Sequence, residues 1–101
     1  MAALIATYTA RDPLAFIRTF NDFEAVRVEL GSTGHQLFRG GLDDDEFVAV
    51  INFSSLGEVD SFASDPRRAE ALERAGVVES HDILAEELDP SGSIAPADAI
   101  R

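Results

Sequence analysis

The apolar positions of this chain fall into runs whose period changes several times. Residues 3–10 mix β-branched, aromatic and small side chains and stop at Arg11-Asp12-Pro13, a pattern that predicts a first strand. Asp12 ahead of Pro13 is a helix-start signal: the carboxylate accepts from unpaired backbone N–H groups, and proline at the first helical position gives up a donor that had no partner. From there the period becomes helical. Phe16, Phe20, Phe23, Val26 and Leu30 share one stripe and Gly31 supplies a stop, so one helix is predicted over 13–29. Residues 34–39 and 46–53 flank the turn-rich Gly40-Gly41-Leu42-Asp43-Asp44-Asp45, which predicts a β-hairpin with a loop longer than two residues. Ser55-Leu56-Gly57-Glu58 matches a capping box, and Asp65-Pro66 repeats the cap-then-proline signal. Two helical pieces are therefore expected, over 56–64 and 66–75, with Val59, Phe62, Ala69, Leu72 and Ala75 inward and Gly76 as the stop. Residues 77–85 predict a fourth strand. From Asp89 onward Pro90, Ser91, Gly92, Ser93 and Pro96 interrupt any regular pattern, so the expected organisation is one domain over 1–89 and a flexible tail over 90–101.

The order β-α-β-β-α-β is the split βαβ arrangement of ferredoxin-like α+β folds, in which both helices cover one side of a four-stranded antiparallel sheet. That leaves the other side bare. In the strand at 46–53, however, Phe47, Ala49, Ile51 and Phe53 are apolar and so are Val48 and Val50 between them. A strand with one wet face alternates with polar residues, so this one calls for cover on both faces. Leaving several such side chains in water forfeits about 1.5–3 kcal/mol each. A second copy of the sheet is the natural cover, and the expected state is a homodimer packed sheet to sheet.

Several segments resemble the dimeric α+β barrel superfamily: the strand at 4–10 running into Asp12-Pro13-Leu14, Leu37-Phe38-Arg39 ahead of an acidic turn, Phe53-Ser54-Ser55-Leu56-Gly57-Glu58 leading to Phe62-Ala63-Ser64-Asp65-Pro66, and Ala75-Gly76-Val77. That superfamily includes antibiotic-biosynthesis monooxygenases, haem-degrading monooxygenases, muconolactone isomerases and stress-responsive barrel proteins. The resemblance implies two sheets closed into a barrel, with one small-molecule pocket per protomer between sheet and helices. It does not carry over the Trp, or the His in the second helical region, on which the oxygenases of the superfamily typically rely: the chain has no Trp and residues 55–75 hold no His.

Composition narrows the chemistry. Nineteen acidic residues against eight basic ones give a formal charge of −11, which repels a nucleic-acid backbone over most of the surface. Without cysteine there is no disulfide, thiolate nucleophile or Cys-bound metal. The spacing of the two His offers no zinc motif, the acidic turn lacks the spacing of a calcium loop, and Gly31-Ser32-Thr33-Gly34 is not a phosphate loop. No metal and no cofactor are expected. Met1–Thr7 has no basic leader pattern and no run approaches a membrane span, so a cytoplasmic location without membrane contact is expected.

Six residues remain as candidate ligand contacts. His81 and His35 carry imidazoles able to act near neutral pH, although His35 also suits a strand edge. Arg27 falls inside the apolar stripe of the first helix, where a guanidinium either pairs with an acid or reaches a pocket oxygen. Arg39 shares a strand face with His35 and Leu37, with an ion pair to the acidic turn as its plainer role. Asn52 is a polar amide on the most apolar strand, and Tyr8 has a ring for the core and a hydroxyl that can reach a pocket. The expected function is a homodimeric small-molecule-binding barrel taking a small apolar or aromatic ligand. Two alternatives stand beside it. One is a cofactor-free monooxygenase or isomerase acting on an aromatic or polyketide-like substrate, with His81 as base, Asn52 orienting and Arg27 stabilising an enolate. The other is a structural or stress-related dimer without catalysis.

Overall fold

The computed structural model describes residues 1–41 and 43–88; the expected tail, 90–101, lies outside the described residues. The elements are β1 (Ala2–Ala10), α1 (Pro13–Asp22), α2 (Glu24–Glu29), β2 (Gly34–Arg39), β3 (Glu46–Phe53), α3 (Leu56–Ala63), α4 (Pro66–Arg74) and β4 (Val77–Glu86). The four strands form one antiparallel sheet in the order β2-β3-β1-β4. This is the ferredoxin-like topology expected from the element order.

The three start signals act as local chemistry demands. Asp12 accepts from the Leu14 and Ala15 N–H groups at 3.1 and 3.2 Å. Ser55 Oγ accepts from Glu58 N–H, while the Glu58 carboxylate reaches one residue past the usual box partner to accept from Ser54 N–H at 3.1 Å. Asp65 accepts from Arg67 N–H at 2.8 Å. Gly31 and Gly76 take positive φ, 105° and 77°, at the ends of the two helical regions, where a side chain would be strained.

Two expectations are corrected. The single helix over 13–29 is two, α1 and α2, divided at Phe23. The break directs Phe23 toward Phe62, their rings 6.3 Å apart, and lets Arg27 turn back onto the end of α1. In the second helical region Leu72 and Ala75 pack inward as expected, but Ala69 is exposed and Arg68 and Ala71 are buried instead. A charged residue therefore occupies a position that alanine was expected to fill.

The two sheet faces separate by residue parity. Leu4, Ala6 and Tyr8 of β1 and Phe47, Ala49, Ile51 and Phe53 of β3 are buried beneath the helices, joined there by Phe16, Phe20, Val59 and Phe62. The other face has no cover among the described residues. It carries Ile5, Val48 and Val50, half-buried only by their neighbours, with Phe38 of β2 and Ile83 of β4 49% and 58% exposed. Apolar side chains thus continue across all four strands on the uncovered side.

Candidate functional site

Between the sheet and the four helices lies a cavity of about 30 Å³, walled by Phe16, Phe20, Phe23, Ile51, Phe62 and Leu72 among others, with Tyr8, Thr19, Arg27 and Arg68 as its polar lining. The space as it stands accommodates about one or two waters. Its aromatic wall is continuous with the core: Tyr8 and Phe47 flank Phe16 at ring distances of 5.3 and 4.5 Å, and Phe53 and Phe62 stand 5.3 Å apart.

Arg68 supplies the best-organised polar group. Its Nη1 and Nη2 donate to the two carboxylate oxygens of Asp82 at 2.9 and 2.7 Å, Nη2 also donates to the Tyr8 hydroxyl at 3.1 Å, and Nη1 to the Ala63 carbonyl at 3.2 Å. Burial works against the Arg68 charge, but the Asp82 and Tyr8 oxygens outweigh it and its pKa is raised. Burial also raises the Tyr8 pKa, only partly offset by Arg68. Tyr8 therefore keeps its proton. Because its oxygen already accepts from Arg68, that proton is free to be donated elsewhere.

Arg27 is 1% exposed. Its guanidinium lies 4.0 Å from the centre of the Phe20 ring, and Nη1 donates to the Phe20 carbonyl at 2.6 Å, in the last turn of α1 where helix carbonyls run short of intrahelical donors. Its Nε and Nη2 have no hydrogen-bond partner among the described residues. Burial lowers its pKa, against the nearby Glu24 charge.

Of the six residues read from the sequence, the structure brings Tyr8 and Arg27 to this cavity and leaves four elsewhere. His35, on edge strand β2, packs edge-on against Phe20 at 5.4 Å without lining the cavity. Arg39 donates to the Asp44 carbonyl at 2.8 Å in the exposed hairpin turn. His81 and Asn52 lie on the uncovered sheet face. His81 sits opposite Thr7 in an open, polar depression of about 200 Å³ with Thr9, Glu46 and Glu79, and Asn52 lies in another of about 190 Å³ at the opposite end of the sheet. Within one protomer His81, Asn52 and Arg27 thus form no common site. Among the described residues no group of three or more His, Asp or Glu side chains is arranged to hold a metal, and no helix is long and apolar enough to cross a membrane.

Arg68 and Asp82 were missed. Arg68 reads as one charge among many in Arg67-Arg68-Ala69-Glu70, and its partner is supplied by a distant strand. The available signal was periodicity: Arg68, Ala71 and Ala75 recur on one helical face.

The geometry agrees with solved structures at low sequence identity. SnoaB, a cofactor-independent oxygenase from Streptomyces nogalater, superposes with a TM-score of 0.73 at 15% identity over 91% of this chain and 97% of its own. The chain shares the ferredoxin-like α+β fold of that oxygenase. A putative antibiotic biosynthesis monooxygenase from Bordetella bronchiseptica gives 0.72 at 12% identity, covering 86% and 96% of the two chains. One from Deinococcus radiodurans gives 0.68 at 17%, covering 93% and 99%. No family model and no curated protein matches the sequence.

Proposed function

We propose that the chain works as a homodimer, packed sheet to sheet, whose protomers each bind a small, partly aromatic molecule in the cavity beside Tyr8 and Arg27. The observation that carries the binding reading is that the Tyr8 phenol and Arg27, with two unpartnered guanidinium nitrogens, line a pocket walled largely by aromatic and aliphatic side chains. Apolar walls with a few convergent polar groups are the ordinary make-up of a ligand site. The dimer is supported by the apolar side chains crossing the uncovered face.

A second reading, a structural dimer without a ligand, is favoured by the cavity volume of about 30 Å³, which requires lining side chains to move before a ring can enter. Turnover of the bound molecule without a cofactor is a narrower version of the first reading. It would rest on Tyr8, Arg27 and Arg68, because His81 and Asn52 lie across the sheet.

Thermal unfolding in the presence of a panel of aromatic acids and hydroxyquinones tests the binding reading. A true ligand at 100 times its dissociation constant adds about 2.7 kcal/mol. Failure of the whole panel, with sedimentation still reporting a dimer, would leave the structural reading. Sedimentation as a single subunit at micromolar concentration would remove the dimer.

A further inference from the structure

A buried cation with no anion beside it calls for more than an apolar ligand. Guanidinium groups taken out of water are normally answered by a carboxylate or by a full set of hydrogen bonds. Arg68 has both, whereas Arg27 has one carbonyl and the face of Phe20. Glu24, the carboxylate whose charge acts most on Arg27, is exposed on α2 and forms no ion pair with it.

We propose that the cavity recognises an organic anion, an aromatic ring bearing a carboxylate, seated with its two oxygens on Arg27 and the ring among Phe16, Phe20, Phe23 and Phe62. The proposal rests on the binding reading above and names its ligand class. The two unpartnered nitrogens are Nε and Nη2, whose N–H bonds point the same way along one edge of the planar fork. That edge holds two oxygens side by side, as a carboxylate presents them. Nη1, bonded to the Phe20 carbonyl, holds the fork in place.

The rest of the lining agrees in sign. No carboxylate is among the residues that line the cavity, and the charge of Asp82 is answered by Arg68. The Tyr8 oxygen accepts from Arg68, which leaves its proton available as a further donor. The hydroxyls of Tyr8 and Thr19 are the neutral side chains lining the cavity that can accept, and the Tyr8 oxygen already accepts from Arg68. A site so rich in donors favours an acceptor-only group, and an anion most of all.

The test compares 2-naphthoate with 2-naphthamide, which match in ring and size and differ in charge, by calorimetric titration of the whole chain. Naphthoate is expected to bind at least about tenfold tighter, the size of a charge-assisted bidentate contact over a neutral one. Arg27→Met is expected to abolish that ratio by weakening naphthoate while leaving naphthamide within about threefold. Arg27→Lys, which keeps the charge but not the two-pronged edge, is expected to fall between. Equal affinities in the unaltered protein would overturn the proposal and leave the binding reading standing, and that comparison decides the point even if Arg27→Met fails to fold. Retention of the preference by Arg27→Met would overturn it as well. Stabilisation by sodium chloride equal to that by naphthoate would show a bare-ion site and refute the aromatic part. Failure of both naphthyl compounds to bind would overturn the proposal, while the binding reading stands or falls with the wider panel.

Discussion

Two guanidinium groups are buried among the described residues, and they differ in what answers their charge. Asp82 holds Arg68 with two hydrogen bonds, and the side chains keep 8% and 28% exposure for Arg68 and Asp82 respectively. Removing one member of such a pair strands the other in low dielectric. Asp82→Ala is therefore expected to cost about 3 kcal/mol in urea unfolding, the low end for a broken buried pair because Asp82 keeps some contact with water. Tyr8→Phe, which deletes one acceptor of several, is expected to cost about 1 kcal/mol. A different electrostatic effect operates at Glu46, on the uncovered face. Partial desolvation first, then the charges of Asp43, Asp45 and Glu79, hold its carboxyl above its ordinary value. A proton is thus bound more tightly in the folded than in the unfolded chain. Stability from that proton is complete below the unfolded value and is lost as pH rises through the folded one. Glu46→Gln is expected to raise the melting temperature at about pH 7 and to give no advantage at about pH 3.5; equal gains at both would assign the effect to packing.

Local chemistry made most elements legible. Asp12-Pro13, Ser55 with Glu58, and Asp65-Pro66 each satisfy backbone donors within a few residues, so their meaning does not depend on the rest of the fold. Asp12→Ala removes an acceptor shared by two N–H groups and is expected to cost about 1 kcal/mol by urea unfolding, with Asp12→Asn restoring most of it. The break at Phe23 was not legible for the converse reason. Its stripe of Phe16, Phe20, Phe23 and Val26 fits a straight helix equally well, and the kink is selected by Phe62 and by the path of Arg27, both tertiary contacts. The same distinction governs the candidate site. Tyr8 could be placed by its alternation with Leu4 and Ala6. Whether His81 or Asp82 shares the side of Tyr8 depends on the register of β4 against β1, which pairs Tyr8 with Ser80 and Thr7 with His81 before shifting between Thr9 and Ala10. A one-residue change in register exchanges the two faces, so the sequence identified chemically capable residues without dividing them between the cavity and the uncovered face.

At the scale of the whole molecule, the apolar pattern and the charge pull in opposite directions. Val48 and Val50 alternate with the core residues of β3, and Phe38, Ile5 and Ile83 extend the same face over its neighbouring strands. Such a surface favours association through a term that depends weakly on moderate salt. Each chain also carries a formal charge of −11, so a pair brings together 2 × −11 = −22. Glu46 and Glu79 both line the depression on the very face that would be covered. In the proposed dimer, repulsion between protomers has to be overcome by apolar contact, and it is the part that salt screens. Raising ionic strength from about 0.01 to about 0.15 M shortens the screening length from about 30 to about 8 Å. Dimer affinity in sedimentation equilibrium is accordingly expected to rise over that range. A fall would mean that ion pairs between protomers hold the interface, and would move its energetic centre from the β3 valines to the acidic end of the sheet.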